Sequence, residues 1–89
     1  MEKYKVVIKR SAISEIEDIP QKKIRQQIIK RIGQLASDPR PAGSKKLSGN
    51  DKYRIRQGNY RIIYGIETGV LTIIVIKVGL RKDVYRELS

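Results

Sequence analysis

Hydrophobic and polar residues alternate from Tyr4 to Lys9, with Tyr4, Val6 and Ile8 on one side and Lys5, Val7 and Lys9 on the other. That period of two predicts a strand. The spacing then lengthens: Ala12, Ile13, Ile16 and Ile19 follow Ser11 at helical intervals, and Ser11 is expected to cap the helix. Pro20 disfavours helical geometry in the residue before it, so this helix should end near Asp18. A second helix is expected to carry Pro20 in its first turn. Within it Ile24, Ile28, Ile32 and Leu35 form an apolar stripe, while Lys22, Lys23, Arg25, Lys30 and Arg31 fall largely outside it. Asp38-Pro39-Arg40-Pro41 is the stop.

The second half changes texture. Ala42 to Asp51 is rich in Gly, Ser and Lys and reads as a loop, anchored by Leu47. Strands are predicted over Lys52 to Gln57 and Tyr60 to Ile66. Gly58-Asn59 joins them, with glycine at the first central position of a type II′ turn. Glu67-Thr68-Gly69 should form the next turn, with a positive φ at Gly69. A strand from Val70 to Val78 then follows, and its Leu71, Ile73, Ile74, Val75 and Ile76 mark it as central and covered on both faces. Arg81 to Leu88 is expected to add one or two helical turns. The order is β-α-α-β-β-β with a short C-terminal helix, a single α+β domain over residues 1–89. Its sheet should be mostly antiparallel, with a helical hairpin on one face. There is no internal repeat.

Composition sharpens this outline. A chain of 89 residues buries roughly 60–65% of its unfolded surface, which sets one sheet and a few helices as the ceiling. The net charge of +11 points to a polyanionic partner. Cysteine and histidine are both absent. That removes disulfides, a thiolate nucleophile, a conventional zinc centre and His-based acid–base catalysis. Nine scattered acids offer little for a hard-metal cage, so neither metal nor cofactor is expected. Met1 to Lys5 lacks the apolar region of a signal peptide, and no run approaches membrane-spanning length. The expected location is cytoplasmic, with any catalysis resting on Arg, Lys, Tyr and acids.

Register concentrates the charge. With Gly58-Asn59 as the whole loop, Gln57 opposes Tyr60, Arg56 opposes Arg61, Ile55 opposes Ile62 and Arg54 opposes Ile63. Arg54, Arg56 and Arg61 then share one face, with Tyr53, Ile55, Tyr60, Ile62 and Tyr64 largely on the other, toward the helices. Like charges in direct opposition destabilise a sheet, so folding alone gives no reason for Arg56 to face Arg61. Lys45, Lys46 and Lys52 lead into the hairpin, and Lys77 and Lys82 extend the basic set. Arg81 and Tyr85 are four apart and share a face in a helix, where they are candidates to fold over the arginines. Arginine forks bind phosphate bidentately, and a tyrosine at the rim suits a stacked base. The cations of the second helix, by contrast, read as a solvated face. Tyr4, Tyr53, Tyr60 and Tyr64 read as packing residues. Ile63, Leu71, Ile73 and Val75 are expected on the arginine face, where a partner segment would cover them.

These motifs have a family likeness. Lys46-Leu47-Ser48-Gly49, Tyr53-Arg54-Ile55-Arg56-Gln57-Gly58-Asn59-Tyr60-Arg61-Ile62-Ile63-Tyr64, Val78-Gly79-Leu80-Arg81 and Val84-Tyr85 together resemble the RelE/ParE superfamily of bacterial and archaeal toxins. The resemblance spans nearly the whole chain. It implies the RelE-like microbial RNase fold and a toxin neutralised by a cognate, acidic antitoxin that wraps it, with operator DNA reached only through that antitoxin. RelE-like members are mRNA interferases that cut message in the ribosomal 30S A site. ParE-like members inhibit DNA gyrase. The resemblance places catalytic roles on Arg54, Arg56, Arg61, Arg81 and Tyr85, and RNA or ribosome binding is expected of Lys45, Lys46, Lys52, Lys77 and Lys82. The best-known nucleases of this type carry lysines at the positions of Arg54 and Arg56. Arginine is a poor base, so the proton acceptor is left unassigned.

The implied reaction is metal-free attack of a ribose 2′-OH on its own phosphate, giving a 2′,3′-cyclic phosphate and a 5′-OH. Arg61, with Arg54 or Arg56, would stabilise charge on the phosphoryl oxygens. Arg81 would serve the leaving oxygen, and Tyr85 would orient the base. Two alternatives stand beside this one: a gyrase inhibitor of the ParE type, and an inactive homologue that binds only antitoxin and operator.

Overall fold

In the computed structural model, which describes residues 3–47 and 51–80, the chain forms β1 (Lys5–Ile8), α1 (Arg10–Glu17), α2 (Lys22–Gln34), β2 (Lys45–Lys46), β3 (Lys52–Gln57), β4 (Tyr60–Glu67) and β5 (Thr72–Leu80). The strands make one sheet in the order β1-β5-β4-β3-β2. Among the described residues only the β1–β5 pair is parallel. The expected α+β architecture is therefore present through β5. The expected C-terminal helix over Arg81 to Leu88 lies outside the described residues.

Local chemistry explains the elements and several departures. Lys9 rather than Ser11 occupies the N-cap of α1, without a side-chain cap bond. The strand ends at Ile8 and the helix starts at Arg10, so the chain turns before Ser11 is reached. Likewise α2 starts after Gln21, leaving Pro20 outside it. Ile19 between the helices is buried, and the Arg25 guanidinium donates to its carbonyl. Lys45 and Lys46, expected in a loop, form a two-residue strand because both find partners on β3, opposite Arg54 and Tyr53.

Gly58 has φ +60° and Asn59 stays out of the positive region, the pattern of a type II′ turn. The β4–β5 turn differs from expectation. It is a 3₁₀ turn over Thr68–Val70, and the left-handed residue is Leu71, with φ 46° and ψ 54°, rather than Gly69. Glu67 pairs with Thr72, so the connection has one more residue than a Thr68-centred three-residue turn. A one-residue change of register moves every following side chain to the other face. Ile73 and Val75, expected on the arginine face, accordingly lie in the helix-side core.

That core is built from Ala12, Ile16, Ile19, Ile28, Ile32, Leu35, Ile55, Ile62, Tyr64, Ile73, Val75 and Val78. The apolar stripe of α2 enters it through Ile28 and Ile32. The strand buried on both faces is β4, where Arg61, Ile62, Ile63 and Tyr64 are all buried in succession. It is the third of five strands, whereas on β5 Ile74 and Ile76 are only half-buried. The sequence expectation of a doubly covered β5 is corrected in that respect. Among the described residues no helix is long and apolar enough to cross a membrane.

Candidate active site

The hairpin pairs as its loop length dictates: Gln57 with Tyr60, Arg56 with Arg61, Ile55 with Ile62, Arg54 with Ile63 and Tyr53 with Tyr64. Arg54, Arg56 and Arg61 therefore share the face away from the helices. Two rows of this face define the site. One runs Lys45, Arg54, Ile63, Lys77 across four strands, and the next runs Arg56, Arg61, Gly79.

Lys77 owes its place to a bulge. Ile63 pairs with Lys77 but Tyr64 with Val75, which leaves Ile76 as the extra residue on β5. The bulge resets the alternation, so Val78 enters the core while Lys77 joins the arginine row. Its ammonium is mostly covered and pairs with the carboxylate of Glu15 on α1. The same carboxylate accepts the Val78 N–H at 3.0 Å. The parallel ladder with β1 ends at Val75, so Glu15 serves the edge of β5 where a neighbouring strand has run out. Sequence reasoning missed Glu15, since one acid on a charged helix carries no signal until the strand edge is known.

Burial separates the three arginines. Arg54 is 8% exposed and Arg61 3%, whereas Arg56 is exposed. A buried guanidinium has lost its hydration at a cost of several kcal/mol unless partners replace it. Among the described residues the buried Arg61 Nε has no hydrogen-bond acceptor, and the register partner of Arg61 on β3 is another arginine. An anion on this face would supply what is missing: acceptor oxygens and opposite charge.

The other expected residues divide. Lys45 is exposed beside Arg54, while Lys46 pairs with Tyr53 and so lies on the helix side. Lys46 also approaches Asp51 at 4.0 Å. Lys52 is half-buried on the arginine face, opposite Gly65. Arg81, Lys82 and Tyr85 lie outside the described residues, as do Ser48 and Gly49 of the motif. The tyrosines pack as expected. Tyr53 and Tyr64 stack with centroids 5.8 Å apart, and Arg40 lies 5.4 Å over the Tyr53 ring with its Nε donating to the Tyr53 hydroxyl. The Tyr64 hydroxyl donates to the Pro39 carbonyl at 2.7 Å, and burial pushes its pKa up to about 12. These contacts fasten the loop after α2 to the sheet.

This five-stranded sheet with a helical hairpin on one face is the fold of solved RelE toxins. Residues 6–85 match the family model described as ParE toxin of type II toxin-antitoxin system, parDE, and the chain belongs to that family. It is thus a type II toxin of the RelE/ParE superfamily. It is 26% identical over 86 residues to Toxin RelG of Mycobacterium tuberculosis (strain ATCC 25618 / H37Rv), covering 93% of this chain and 97% of that protein. The archaeal RelE–RelB complex from Pyrococcus horikoshii OT3 contains a similar chain, 26% identical with TM-score 0.80, covering 91% of this chain and 98% of the other. The isolated E. coli RelE toxin is 28% identical with TM-score 0.75, covering 96% and 94%.

Proposed function

We propose that this toxin is a metal-independent endoribonuclease that cuts ribosome-bound message in the 30S A site and so inhibits translation in the cytoplasm. The observation that carries the reading is Arg61, a buried guanidinium with an orphaned Nε, set opposite Arg56 and on one face with Arg54. The 2′-OH attacks the adjacent phosphate, and charge builds on the phosphoryl oxygens. Arg61, with Arg54 and Arg56, stabilises that charge, the kind of preorganised electrostatics that is often the largest catalytic effect. Arg81 serves the leaving 5′-oxygen and Tyr85 orients the base. Lys45 and Lys52 add positive potential along the same face, with Lys46, Lys77 and Lys82 in the wider basic surface. Without histidine, positioning supplies much of the rate, which is why the ribosome is needed to arrange the message.

Similar chains stand in complexes with RelB antitoxins, and the cognate antitoxin of this toxin is an acidic protein that wraps it. Primer extension on message from cells expressing wild type or Arg61→Ala tests the reaction. In-frame cuts that vanish in the variant are the expected result, while equal cutting by both rejects it. The match to the ParE model favours one second reading, inhibition of DNA gyrase. Loss of supercoiling activity without message cleavage would establish it instead.

A further inference from the structure

Glycine is unfavourable in the middle of a strand, because it loses the most chain entropy and packs nothing. Gly65 lies within β4, paired with Lys52 of β3 on one side and Ile74 of β5 on the other. Two ordinary reasons for a glycine fail there. Among the described residues the glycines at positive φ are Gly43 and Gly58, so the backbone at Gly65 does not require one. Nor does a close neighbour: a Cβ added at Gly65 would meet only the Ile76 Cδ1, at the ordinary contact distance of 3.9 Å. The missing side chain instead leaves a hollow of about 270 Å³. Gly65 is its floor, with Ile74 and Ile76 on the β5 side, Asp51 and Lys52 on the β3 side, and Glu67 at its end. A glycine of this kind marks a place where a ligand comes close to the sheet.

The hollow opens on the arginine face. Along β4, Arg61, Ile63, Gly65 and Glu67 alternate onto one side of the sheet, as Lys52, Arg54 and Arg56 do on β3. A strand of RNA running from Arg61 to Lys52 passes over it. The lining decides what fits. The volume is just below the roughly 300–1,000 Å³ of pockets for drug-sized ligands, so one small ring system fills it. Half-buried Ile74 and Ile76 offer apolar contact, and half-buried Lys52 offers a cation to a phosphate. Ionised Glu67 offers only acceptors. Among the described residues neither salt bridge engages Glu67, whereas Asp51 approaches Lys46 at 4.0 Å. A carboxylate repels phosphate and acidic peptide alike, so the group at that end must be a neutral donor. An unstacked nucleobase combines these properties: apolar faces, an attached phosphate and N–H groups along its edge. Guanine presents two adjacent donors, N1–H and the 2-amino group, which match the two oxygens of one carboxylate.

We propose that the hollow over Gly65 holds a guanine base of the bound RNA, read by Glu67 while Lys52 takes its phosphate. The inference rests on the nuclease reading and deepens it: the hollow makes cleavage selective for message with guanine at one fixed position from the cut. Gly65 and Glu67 set specificity, and the chemistry stays with the arginines.

The test compares wild type, Gly65→Val, Glu67→Gln and Lys52→Gln, each as the full chain with its thermal melt recorded. Affinity is measured for 2′-O-methylated tetranucleotides, which have no 2′-OH to attack, carrying guanine, hypoxanthine or adenine at one position. Wild type should prefer guanine to hypoxanthine, which lacks only the 2-amino group, on the order of tenfold. Gly65→Val, which fills the hollow, and Glu67→Gln should abolish that preference. Lys52→Gln should weaken all three oligonucleotides alike and lower the salt slope by about one ion. Cuts mapped in message should be enriched for guanine at one position in wild type and lose that enrichment in Gly65→Val and Glu67→Gln. A wild type blind to the exchange of guanine for hypoxanthine, or a folded Gly65→Val that keeps the preference, would overturn the proposal. So would a loss in Gly65→Val confined to antitoxin binding, which would assign the hollow to an apolar side chain of that protein. A wild type that cuts no message rejects the nuclease reading, while the tetranucleotide comparison still decides the hollow.

Discussion

The two faces of β4 are equally closed to water and chemically opposite. Ile62 and Tyr64 are fully buried toward the helices, and Arg61 and Ile63 are as well buried on the other side. On the helix face Ile62 and Tyr64 sit in the apolar core, the Tyr64 hydroxyl is satisfied by the Pro39 carbonyl, and the Tyr53 hydroxyl accepts from Arg40. On the other face a guanidinium is enclosed with an orphaned donor, opposite a second arginine. The first arrangement lowers the free energy of the fold. The second leaves the buried Arg61 Nε without an acceptor, a cost that a bound anion would offset. The difference teaches that burial alone does not identify a core.

Substitutions on the two faces should therefore separate stability from activity. Ile62→Ala, which empties a fully enclosed site, should cost about 3–5 kcal/mol in urea unfolding and abolish function only by unfolding the chain. Arg61→Met should be neutral or stabilising in the same assay, yet reduce message cleavage roughly 10²–10³-fold. If Arg61→Met instead unfolded the chain while Ile62→Ala left it intact, the contrast between the faces would collapse.

Where the faces meet at the edge of β5, Glu15→Ala should cost about 1–3 kcal/mol, because the Val78 N–H and the Lys77 ammonium both lose their acceptor. Amide exchange at Val78 should accelerate with it. A Val78 amide as protected as in wild type would show that Glu15 does not seal that edge.

The hairpin turns give a smaller contrast. Gly58→Ala, at φ +60°, should cost about 1 kcal/mol. Gly69→Ala, at an ordinary φ with open space around it, should change stability by less than about 0.5 kcal/mol. Equal effects would mean that Gly58 does not set the register that aligns Arg56 with Arg61.

The smallest effect is one of pH. Tyr64 has its pKa raised by burial to about 12, against an unfolded value of about 10. The folded state holds this proton more tightly, so its contribution is complete below about pH 10 and fades as pH rises toward 12. Tyr64→Phe should remove that slope from the unfolding free energy. It should also cost about 1 kcal/mol at neutral pH through the lost bond to Pro39. A slope that survived in Tyr64→Phe would place the titration elsewhere.

The hairpin register, the shared face of Arg54, Arg56 and Arg61, and the apolar stripe of α2 were all legible in the chain. Each follows from a local period or from a loop of two residues, which leaves one geometry. The faces of β5 were not legible. Its apolar run from Ile73 to Ile76 has no alternation to read, and its phase depends on Leu71 taking the left-handed conformation and on a bulge at Ile76.

The sequence by itself determined where side chains repeat along each element, and hence which arginines converge on one face. Only the tertiary structure decided which convergent residues lose their water. Burial depends on neighbours far apart in the chain: Arg61 beside β3 and β5, and Lys77 against Glu15. Periodicity is a property of one segment, whereas desolvation belongs to the packed whole.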